Sequence, residues 1–286
     1  MRILITGKNG QLGYDLCRLL KEKEDITAIG REDFDLATDL DKLYKFILEL
    51  KPEVIIHCAA YTKVDDCEKN IDLAYKINAV APARIASACA DTGSRMVYIS
   101  TDYVFDGKKE EPYMEFDTPS PLNVYGSTKL AGEEMVRHIT NRHYIVRTSW
   151  LFGIHGHNFV KTMLKLASER KALKVVNDQR GTPTYTKDLA EALYRLINTN
   201  HYGTFHITNS GSTTWYEFAG KIFDLCGMDG IELQPITTEE YGSPALRPKY
   251  SVLRNFITEE ILNIKMRDWE EGLRDYLIEA GISIRR

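Results

Sequence analysis

The chain has 286 residues, enough for one large domain or for two that share a core. Its residues are 43% hydrophobic and 27% charged, as in an ordinary globular protein, and the net charge of -4 argues against general binding to nucleic acid or anionic membranes. The five cysteines are scattered and contain no C-x-x-C pair, which indicates buried, reduced thiols. The predicted first strand begins at Arg2 and no apolar run reaches about 18 residues, so we expect no signal peptide, no membrane span and a cytoplasmic location.

Strands and helices are predicted to alternate in the first half of the chain. The predicted strands are Arg2–Thr6, Ile26–Ile29, Val54–Cys58, Met96–Ser100 and Tyr144–Arg147. The predicted helices cover Leu12–Leu20, Leu40–Leu50, roughly Leu73–Ala90, and a segment beginning near Tyr125. Apolar, β-branched strands that alternate with helices indicate an α/β fold, a Rossmann-type doubly wound parallel sheet over residues 1–149.

The second half has fewer predicted strands. Short strands are expected at Val175–Val176 and Thr204–Ile207, and helices at Phe159–Ser168, Lys187–Leu196, Tyr216–Cys226 and Trp269–Ala280. We therefore expect residues 150–286 to form a smaller mixed α/β lobe, mainly for substrate binding, with some segments returning to the first domain.

A glycine loop follows the first strand and opens the first helix. Gly7, Gly10 and Gly13 are spaced G-x-x-G-x-x-G, and the loop also contains Asn9, Gln11 and Leu12. Glycines permit a tight turn and let a diphosphate approach the backbone, while the N-terminus of a helix offers free N–H groups. The loop therefore predicts a dinucleotide site.

The end of the second strand bears on the choice of cofactor. An NAD site usually places an acid there, but this chain has Gly30 and Arg31. The absence of an acid and the presence of Arg31 favour the 2′-phosphate of NADPH, with NADH also usable because Glu32 and Asp33 are close. The alternative is that Arg31 is simply a surface residue.

Small residues end the third strand at Cys58–Thr62. They allow an adenosine or ribose to lie against the carboxyl edge of the sheet, or they serve tight packing under the next helix.

Tyr125 and Lys129 lie four residues apart, a spacing that places both on one face of a helix. A neighbouring ammonium favours ionisation of a phenol, so the pair predicts a tyrosine that acts as a proton donor near neutral pH. Thr101 ends the fourth strand, where a hydroxyl can hold a substrate carbonyl. The pair alone is common by chance, but the glycine loop independently predicts a dinucleotide beside it.

The sequence resembles the extended short-chain dehydrogenase/reductase superfamily and, within it, the dTDP-4-dehydrorhamnose reductase family. The resemblance rests on S-T-D-Y-V-F-D-G at 100–107 and P-x-N-x-Y-G-x-[ST]-K at 121–129. Further matching segments are Ala59–Asp65, Ile77–Ala79, Arg147–Gly153, Asp178–Thr184 and Arg247-Pro248. Together they span nearly the whole chain.

The resemblance implies roles for individual residues. Tyr125 would protonate a C4 ketone oxygen, Lys129 would bind the nicotinamide ribose, and Thr101 would orient the carbonyl. Asn78 would either shape the helix beside the site or serve as a plain buried asparagine. Cofactor contacts are further implied for Asp35, Leu36, Ala59, Ala60, Tyr61 and Thr62, and substrate contacts for Thr101, Asp102, Tyr103, Trp150, Arg180 and Arg247.

The implied reaction is the NAD(P)H-dependent reduction of dTDP-4-dehydro-6-deoxy-L-mannose to dTDP-L-rhamnose by a monomer or homodimer. Two alternatives stay open: a reductase of another nucleotide-linked 4-ketosugar, and a non-catalytic regulatory subunit of the same fold. A 4,6-dehydratase is disfavoured because Tyr103 follows Asp102 where a second acid would stand. His155 and His157 lack a third ligand nearby, so no metal is predicted there. Some family members carry Mg²⁺ at a dimer contact, which the sequence leaves open here.

Overall fold

Strands and helices alternate along the first 150 residues of the computed structural model, which describes residues 1–285. The strands are β1 Arg2–Thr6, β2 Asp25–Ile29, β3 Val54–His57, β4 Arg95–Thr101, β5 His143–Thr148, β6 Leu151–Phe152, β7 Ala172–Val176, β8 Arg180–Gly181, β9 Thr184–Tyr185, β10 Gly203–His206, β11 Thr213–Thr214 and β12 Glu232–Ile236. The helices are α1 Gln11–Leu20, α2 Leu40–Leu50, α3 Val64–Lys69, α4 Ile71–Tyr75, α5 Ala81–Thr92, α6 Val124–Ile139, α7 Phe159–Glu169, α8 Thr186–Ile197, α9 Trp215–Leu225, α10 Thr238–Tyr241, α11 Phe256–Glu260 and α12 Trp269–Glu279. A π-helical turn, Lys76–Val80, joins α4 to α5, and a 3₁₀ turn, Asp102–Val104, follows β4.

Six strands form the central sheet in the order β10-β5-β4-β3-β1-β2, and all neighbouring strands are parallel. The predicted doubly wound parallel sheet is confirmed. From β1 the chain goes to β2 on one side and then crosses to β3 on the other. The crevice between the carboxyl ends of β1 and β3 is therefore the switch point at which sheets of this kind bind ligands.

Helices cover both faces of this sheet, which is why its inner strands are mostly apolar. Ile3 and Ile5 point to one face, where they pack against Leu16 of α1 and Leu193 of α8. Leu4 points to the other face, into a cluster supplied by α2, α5 and α6. Burial on both sides fixes the register of the strands and hence the positions of the loops at their carboxyl ends.

The predicted helix over Leu73–Ala90 is not regular. It contains the π turn Lys76–Val80, which separates α4 from α5. Asn78 lies buried within this turn. A π turn inserts one extra residue into the helical path and is often found at functional sites.

A second core lies in the C-terminal half, where α7, α9 and α12 pack around Phe152 and Phe218. Its strands form pairs: β6 with β9, β7 with β12, and β8 with β11. The second half also supplies β10, which pairs with β5 in the central sheet, and α8, which packs beside α1. The division into residues 1–149 and 150–286 stays a prediction.

Within residues 1–285, no helix is long and apolar enough to cross a membrane. All five cysteines are free thiols. The prediction that they are buried holds for Cys67 and Cys89, whereas Cys17, Cys58 and Cys226 are half-buried because they lie at the edges of the packed layers.

Candidate active site

The glycine loop forms a tight cradle at the switch point. Gly7 has a φ of 76°, and a Cβ on it would lie 2.8 Å from the backbone nitrogen of Ala59. A Cβ on Gly13 would lie 2.1 Å from the carbonyl oxygen of Gly7. Only glycine fits either position, because real Cβ atoms do not approach other atoms so closely.

The first turn of α1 is open to an anion. Gly10 is its N-cap residue, has extended backbone and provides no side-chain cap. The N–H groups of that turn are thus free to bind a diphosphate, as the sequence predicts. The Leu12 side chain is buried in the sheet core, so only its backbone faces the loop. The side-chain oxygen of Gln11 accepts a hydrogen bond from the Asn158 amide at 3.2 Å, and its side-chain nitrogen donates to the carbonyl of Leu151.

Charged side chains line the rim of this cradle at the end of β2. The Lys8 ammonium lies 2.6 Å from Asp33 and 3.1 Å from Glu32. Asn9 donates to both carboxylate oxygens of Glu32, each at 3.0 Å. The Glu32 carboxylate lies against Gly30, where a Cβ would be only 2.4 Å from its nearest oxygen. A carboxylate therefore occupies the space above Gly30 that the sequence predicts to be free of acid.

Arg31 is paired with the neighbouring segment. Its guanidinium lies 3.0 Å from Asp35, whose other oxygen accepts a hydrogen bond from the Ala37 N–H at 2.8 Å. The bond from the Ala37 N–H is the largest cause that lowers the pKa of Asp35. The Arg31 side chain is 86% exposed, so it can turn toward a ligand at little cost. Leu36 is half-buried beside the α2 cluster.

The segment after β3 is held by Asn78. The Asn78 carboxamide accepts from the Tyr61 N–H at 2.8 Å and donates to the Tyr61 carbonyl at 3.1 Å. It also donates to Thr128 of α6, at 3.1 Å. Asn78 therefore bonds backbone and shapes the wall of the cleft, so both interpretations of this residue apply. Ala59 and Ala60 are half-buried along this wall, and Thr62 is exposed at its end.

Three side chains predicted to be catalytic meet at the carboxyl edge of β4. Tyr125 and Lys129 lie on α6, whose N-cap Asn123 accepts a hydrogen bond from the Gly126 N–H at 2.8 Å. The Thr101 hydroxyl lies beside the Tyr125 phenol and partly offsets the effect of burial on its pKa. Lys129 is only 2% exposed, and burial lowers its pKa to about 7. The structure thus brings the hydroxyl, the phenol and the ammonium together.

Burial raises the pKa of Tyr125 well above its ordinary value. This direction is opposite to the expectation that Lys129 would lower it, because burial of the phenol is the largest cause and the Thr101 hydrogen bond offsets it only in part. Burial keeps the phenol protonated at neutral pH, but a higher pKa also makes it a weaker acid. Proton donation therefore depends on groups that stabilise the phenolate when the site is filled.

Next to this group, Tyr103 packs edge-on against Tyr125, with ring centroids 5.8 Å apart. Asp102 is 2% exposed, and burial raises the pKa of its carboxyl to about 6. Its Oδ2 has no hydrogen bond of normal geometry to a described residue, although the Ser251 hydroxyl lies close enough to lower the pKa of the carboxyl. The Asp102 carboxyl is thus a buried acceptor next to the site.

Arg247 lies beside Tyr103 but is held by an ion pair. Its two terminal nitrogens lie 3.1 and 2.9 Å from the two oxygens of Asp65. The Arg247 side chain is 17% exposed. A paired and mostly buried guanidinium is a weaker candidate for a diphosphate than the sequence suggests.

The lobe side of the cleft carries Trp150 and Arg180. Trp150 has a φ of 47° and stacks on Trp215 with ring centroids 3.5 Å apart. Gly181 lies against the indole of Trp150, where a Cβ would be only 2.6 Å from the ring. Arg180 is 38% exposed and lies 3.2 Å from Glu217. Neither side chain is brought into contact with Tyr125, so their roles stay predictions.

A buried ion pair beneath the site was missed by the sequence analysis. Arg147 of β5 and Glu133 of α6 are 3% and 0% exposed and lie 2.7 Å apart. Glu133 also accepts from the Ser100 hydroxyl at 2.5 Å. A charged residue within the apolar run of β5 was the available signal, since buried charges need partners.

Metal binding finds no support in this geometry. Among residues 1–285, no three His, Cys, Asp or Glu side chains lie close enough to hold an ion. His155 stacks on Tyr14 with centroids 4.5 Å apart, and His157 lies 3.3 Å from the Thr162 hydroxyl. The described residues of one chain therefore form no such metal site, whereas the Mg²⁺ of some family members lies at a dimer contact, which one chain does not contain.

The arrangement has the parts of a carbonyl reductase. It combines a cradle for a dinucleotide, a protonated phenol, a hydroxyl beside it and a cation one helical turn away. The residues present fit a nicotinamide dinucleotide because the cradle excludes any side chain at Gly7 and Gly13.

Known proteins are similar to this chain over nearly its whole length. The sequence matches the family described as the RmlD substrate binding domain over residues 1–281. The spore coat polysaccharide biosynthesis protein SpsK of Bacillus subtilis (strain 168) is 44% identical over 98% of both chains. The dTDP-4-dehydrorhamnose reductase of Salmonella typhimurium is 38% identical over 98% of both chains. A dTDP-4-keto-6-deoxy-D-glucose reductase of Streptomyces niveus is 38% identical over 95% of both chains.

Two solved structures have closely similar folds. A dTDP-4-dehydrorhamnose reductase from Clostridium acetobutylicum is 48% identical, with a TM-score of 0.96 over 99% of this chain and 100% of that one. The dTDP-4-dehydrorhamnose reductase from Bacillus anthracis, in complex with NADP, is 47% identical, with a TM-score of 0.93 over 97% of this chain and 99% of that one.

Proposed function

This chain belongs to the dTDP-4-dehydrorhamnose reductase family, and we propose that it reduces the C4 ketone of dTDP-4-dehydro-6-deoxy-L-mannose with NADPH. The product is dTDP-L-rhamnose, a precursor of cell-surface polysaccharide. The observation that carries this proposal is the meeting of the glycine cradle with Thr101, Tyr125 and Lys129 at one edge of the sheet.

The bound nicotinamide supplies the hydride that reduces C4 of the sugar. The Thr101 hydroxyl orients the ketone oxygen, and the Tyr125 phenol donates its proton to that oxygen as the carbon–oxygen double bond becomes an alcohol. Lys129 holds the ribose and stabilises the phenolate that Tyr125 leaves behind. Positioned acid catalysis of this kind contributes about 10² to 10⁴ in rate.

A preference for NADPH rests on the cations at the rim. Arg31 is exposed and Lys8 lies in the glycine loop, so both can turn to a 2′-phosphate. The Glu32 carboxylate above Gly30 favours NADH instead, because an acid at this place accepts hydrogen bonds from the ribose hydroxyls. The B. anthracis relative was solved with NADP, which supports NADPH as the preferred cofactor and leaves NADH usable.

Substrate contacts are proposed on the other side of the nicotinamide. The buried Asp102 carboxyl accepts a hydrogen bond from a sugar hydroxyl, and Tyr103 lines the same pocket. Trp150 contacts the sugar through the open edge of its indole. Arg180 is a better candidate than Arg247 for the diphosphate, because its partner Glu217 is exposed and exposed ion pairs break readily.

A second candidate function keeps the chemistry and changes the sugar. The S. niveus relative is named for a dTDP-4-keto-6-deoxy-D-glucose, so a 4-ketosugar of different stereochemistry is an alternative substrate. A non-catalytic regulatory role is disfavoured, because a binding module needs no phenol beside a hydroxyl and a buried ammonium. A cytoplasmic location and a monomer or homodimer stay predictions.

The test is turnover on a panel of nucleotide-linked 4-ketosugars with NADPH, followed by absorbance and product analysis. We expect the L-mannose-configured substrate to be reduced fastest. Tyr125→Phe should lose at least about 10²-fold in kcat while it still binds NADPH. Tyr75→Phe, at a 40% exposed position on α4, is the matched control and should retain full activity. The absence of NADPH oxidation with every sugar would refute the proposal.

A further inference from the structure

Tyr98 lies directly beneath the Lys129 ammonium. It is a residue of β4 with 0% exposure, and the Lys129 nitrogen lies 4.0 Å from the centroid of its ring. Tyr98 was not among the residues that the sequence indicated for the site. Its position two residues before Ser100 on the same strand places its side chain on the same face as the Ser100 side chain, toward α6.

The hydroxyl of Tyr98 is bonded to the backbone of the elements above it. It donates to the Asn78 carbonyl in the π turn, at 2.8 Å, and lies 3.3 Å from the Lys129 carbonyl in α6. This approach requires Gly132, since a Cβ there would lie 2.3 Å from the Tyr98 hydroxyl and 2.2 Å from the Asn78 carbonyl oxygen. The hydroxyl thus fixes the spacing between α6 and the wall of the cofactor cleft.

The ammonium of Lys129 has few other stabilising contacts. It makes no hydrogen bond to a described residue, and burial of a cation without such bonds favours its neutral form. Glu133, one turn further along α6, is already bonded to Arg147 and Ser100. The other titratable groups that interact with Lys129 are the Cys58 thiol and the His57 imidazole. Burial raises the pKa of Cys58 and lowers that of His57, so both are neutral at neutral pH.

We propose that Tyr98 is a positioning residue whose ring face holds the Lys129 ammonium in the cofactor cleft, while its hydroxyl sets the height of α6 above the sheet. The negative face of an aromatic ring attracts a cation most strongly where water is excluded. The inference rests on the proposed function, because it concerns the lysine of that reaction.

The experiment compares Tyr98→Phe with Tyr98→pentafluorophenylalanine, introduced by stop-codon suppression. Both lack the hydroxyl and have nearly the same shape, but fluorination reverses the charge distribution of the ring face. The Lys129 titration is followed directly by NMR of protein labelled with ¹³C at lysine Cε, with Lys129→Met identifying the resonance. Affinity for adenosine 2′,5′-bisphosphate, the adenosine half of NADPH, is measured by calorimetry on the same proteins as a readout that does not require turnover.

We expect the Lys129 titration to move down by about one pH unit on fluorination, a roughly tenfold change in its protonation equilibrium. The pH at which kcat falls should move by the same amount, whereas binding of adenosine 2′,5′-bisphosphate should be unchanged because this ligand lacks the nicotinamide ribose and does not reach Lys129. Equal titrations in the two variants would overturn the inference while leaving the proposed function intact. If the wild-type protein reduces no 4-ketosugar, the proposed function fails, yet the titration still decides the role of the ring.

Discussion

The buried pair Glu133–Arg147 allows a sharp prediction about what holds α6 over the sheet. Arg147 donates to Glu133 through Nε, at 2.9 and 3.2 Å, and through a terminal nitrogen at 2.7 Å. Both side chains are essentially excluded from water. Since α6 carries Tyr125 and Lys129, the pair links the stability of the fold to the position of the catalytic groups.

Glu133→Gln keeps the shape and an acceptor oxygen but leaves the Arg147 cation uncompensated. Breaking a buried pair by removing one charge typically costs about 3–5 kcal/mol. A protein of ordinary stability has about 5–15 kcal/mol in total, so we expect a loss of about a fifth or more. Replacing both residues with methionine should recover most of this loss, because well-packed apolar residues often replace a buried pair without penalty.

The measurement is urea unfolding followed by circular dichroism, with kcat measured in parallel. The matched control is Glu134→Gln, the adjacent residue on α6, whose side chain is 48% exposed and paired only with Arg137. Its loss should be about 0.5 kcal/mol or less, since exposed pairs contribute little. If Glu133→Gln and Glu134→Gln lower the free energy of unfolding equally, the reasoning from burial is wrong.

Three further predictions address the cofactor site and the core. Gly7→Ala should abolish binding of ADP-ribose, measured by calorimetry, because its Cβ would meet the Ala59 backbone nitrogen at 2.8 Å and because the backbone there is left-handed. Arg31→Ala should weaken NADPH more than NADH, while Glu32→Gln should shift the ratio of the two affinities toward NADPH; equal losses for both cofactors would remove both assignments. Burial lowers the pKa of His206 to about 3. Between pH 6.5 and 3 this histidine is therefore protonated in the unfolded chain but neutral in the native protein, so stability is lost as the pH falls from 6.5 toward 3. His206→Asn should reduce the slope of unfolding free energy against pH in this window by up to about 1.4 kcal/mol per unit.

Each of these three predictions has a control variant in the same chain. Gly230→Ala lies where an added Cβ meets nothing within 4 Å, so it should bind ADP-ribose like the wild type. Lys42→Ala removes an exposed cation paired with Asp39 and should leave the cofactor ratio unchanged. His201→Asn removes an exposed histidine and should not alter the pH slope, so a change there equal to that of His206→Asn would contradict the burial argument.

Local patterns in the sequence were sufficient to predict the fold and the family. Apolar strands, the glycine spacing and the Tyr125–Lys129 interval are each encoded within a few neighbouring residues, and the parallel sheet and the family are confirmed. The six-stranded order was not predicted, because β10 comes from the second half of the chain and pairs with β5 about 60 positions earlier.

What the sequence analysis missed depends on contacts between distant positions. Asp65 and Arg247 are separated by 182 residues, so their ion pair leaves no local pattern. The predicted direction of the Tyr125 pKa shift was wrong. The interval to Lys129 is visible in the sequence, whereas the burial that raises the pKa is not. The assigned site roles themselves stay predictions until the variants are measured.

The stacked pair Trp150–Trp215 gives the protein an intrinsic optical probe. The indoles are 6° from parallel at 3.5 Å, and one follows β5 of the central sheet while the other begins α9 of the lobe. Excited states of two chromophores this close are coupled, so the ultraviolet absorption and circular dichroism of the pair should differ from the sum of two separate indoles. A ligand that shifts either indole would change that signal, so its binding can be followed in real time without a label.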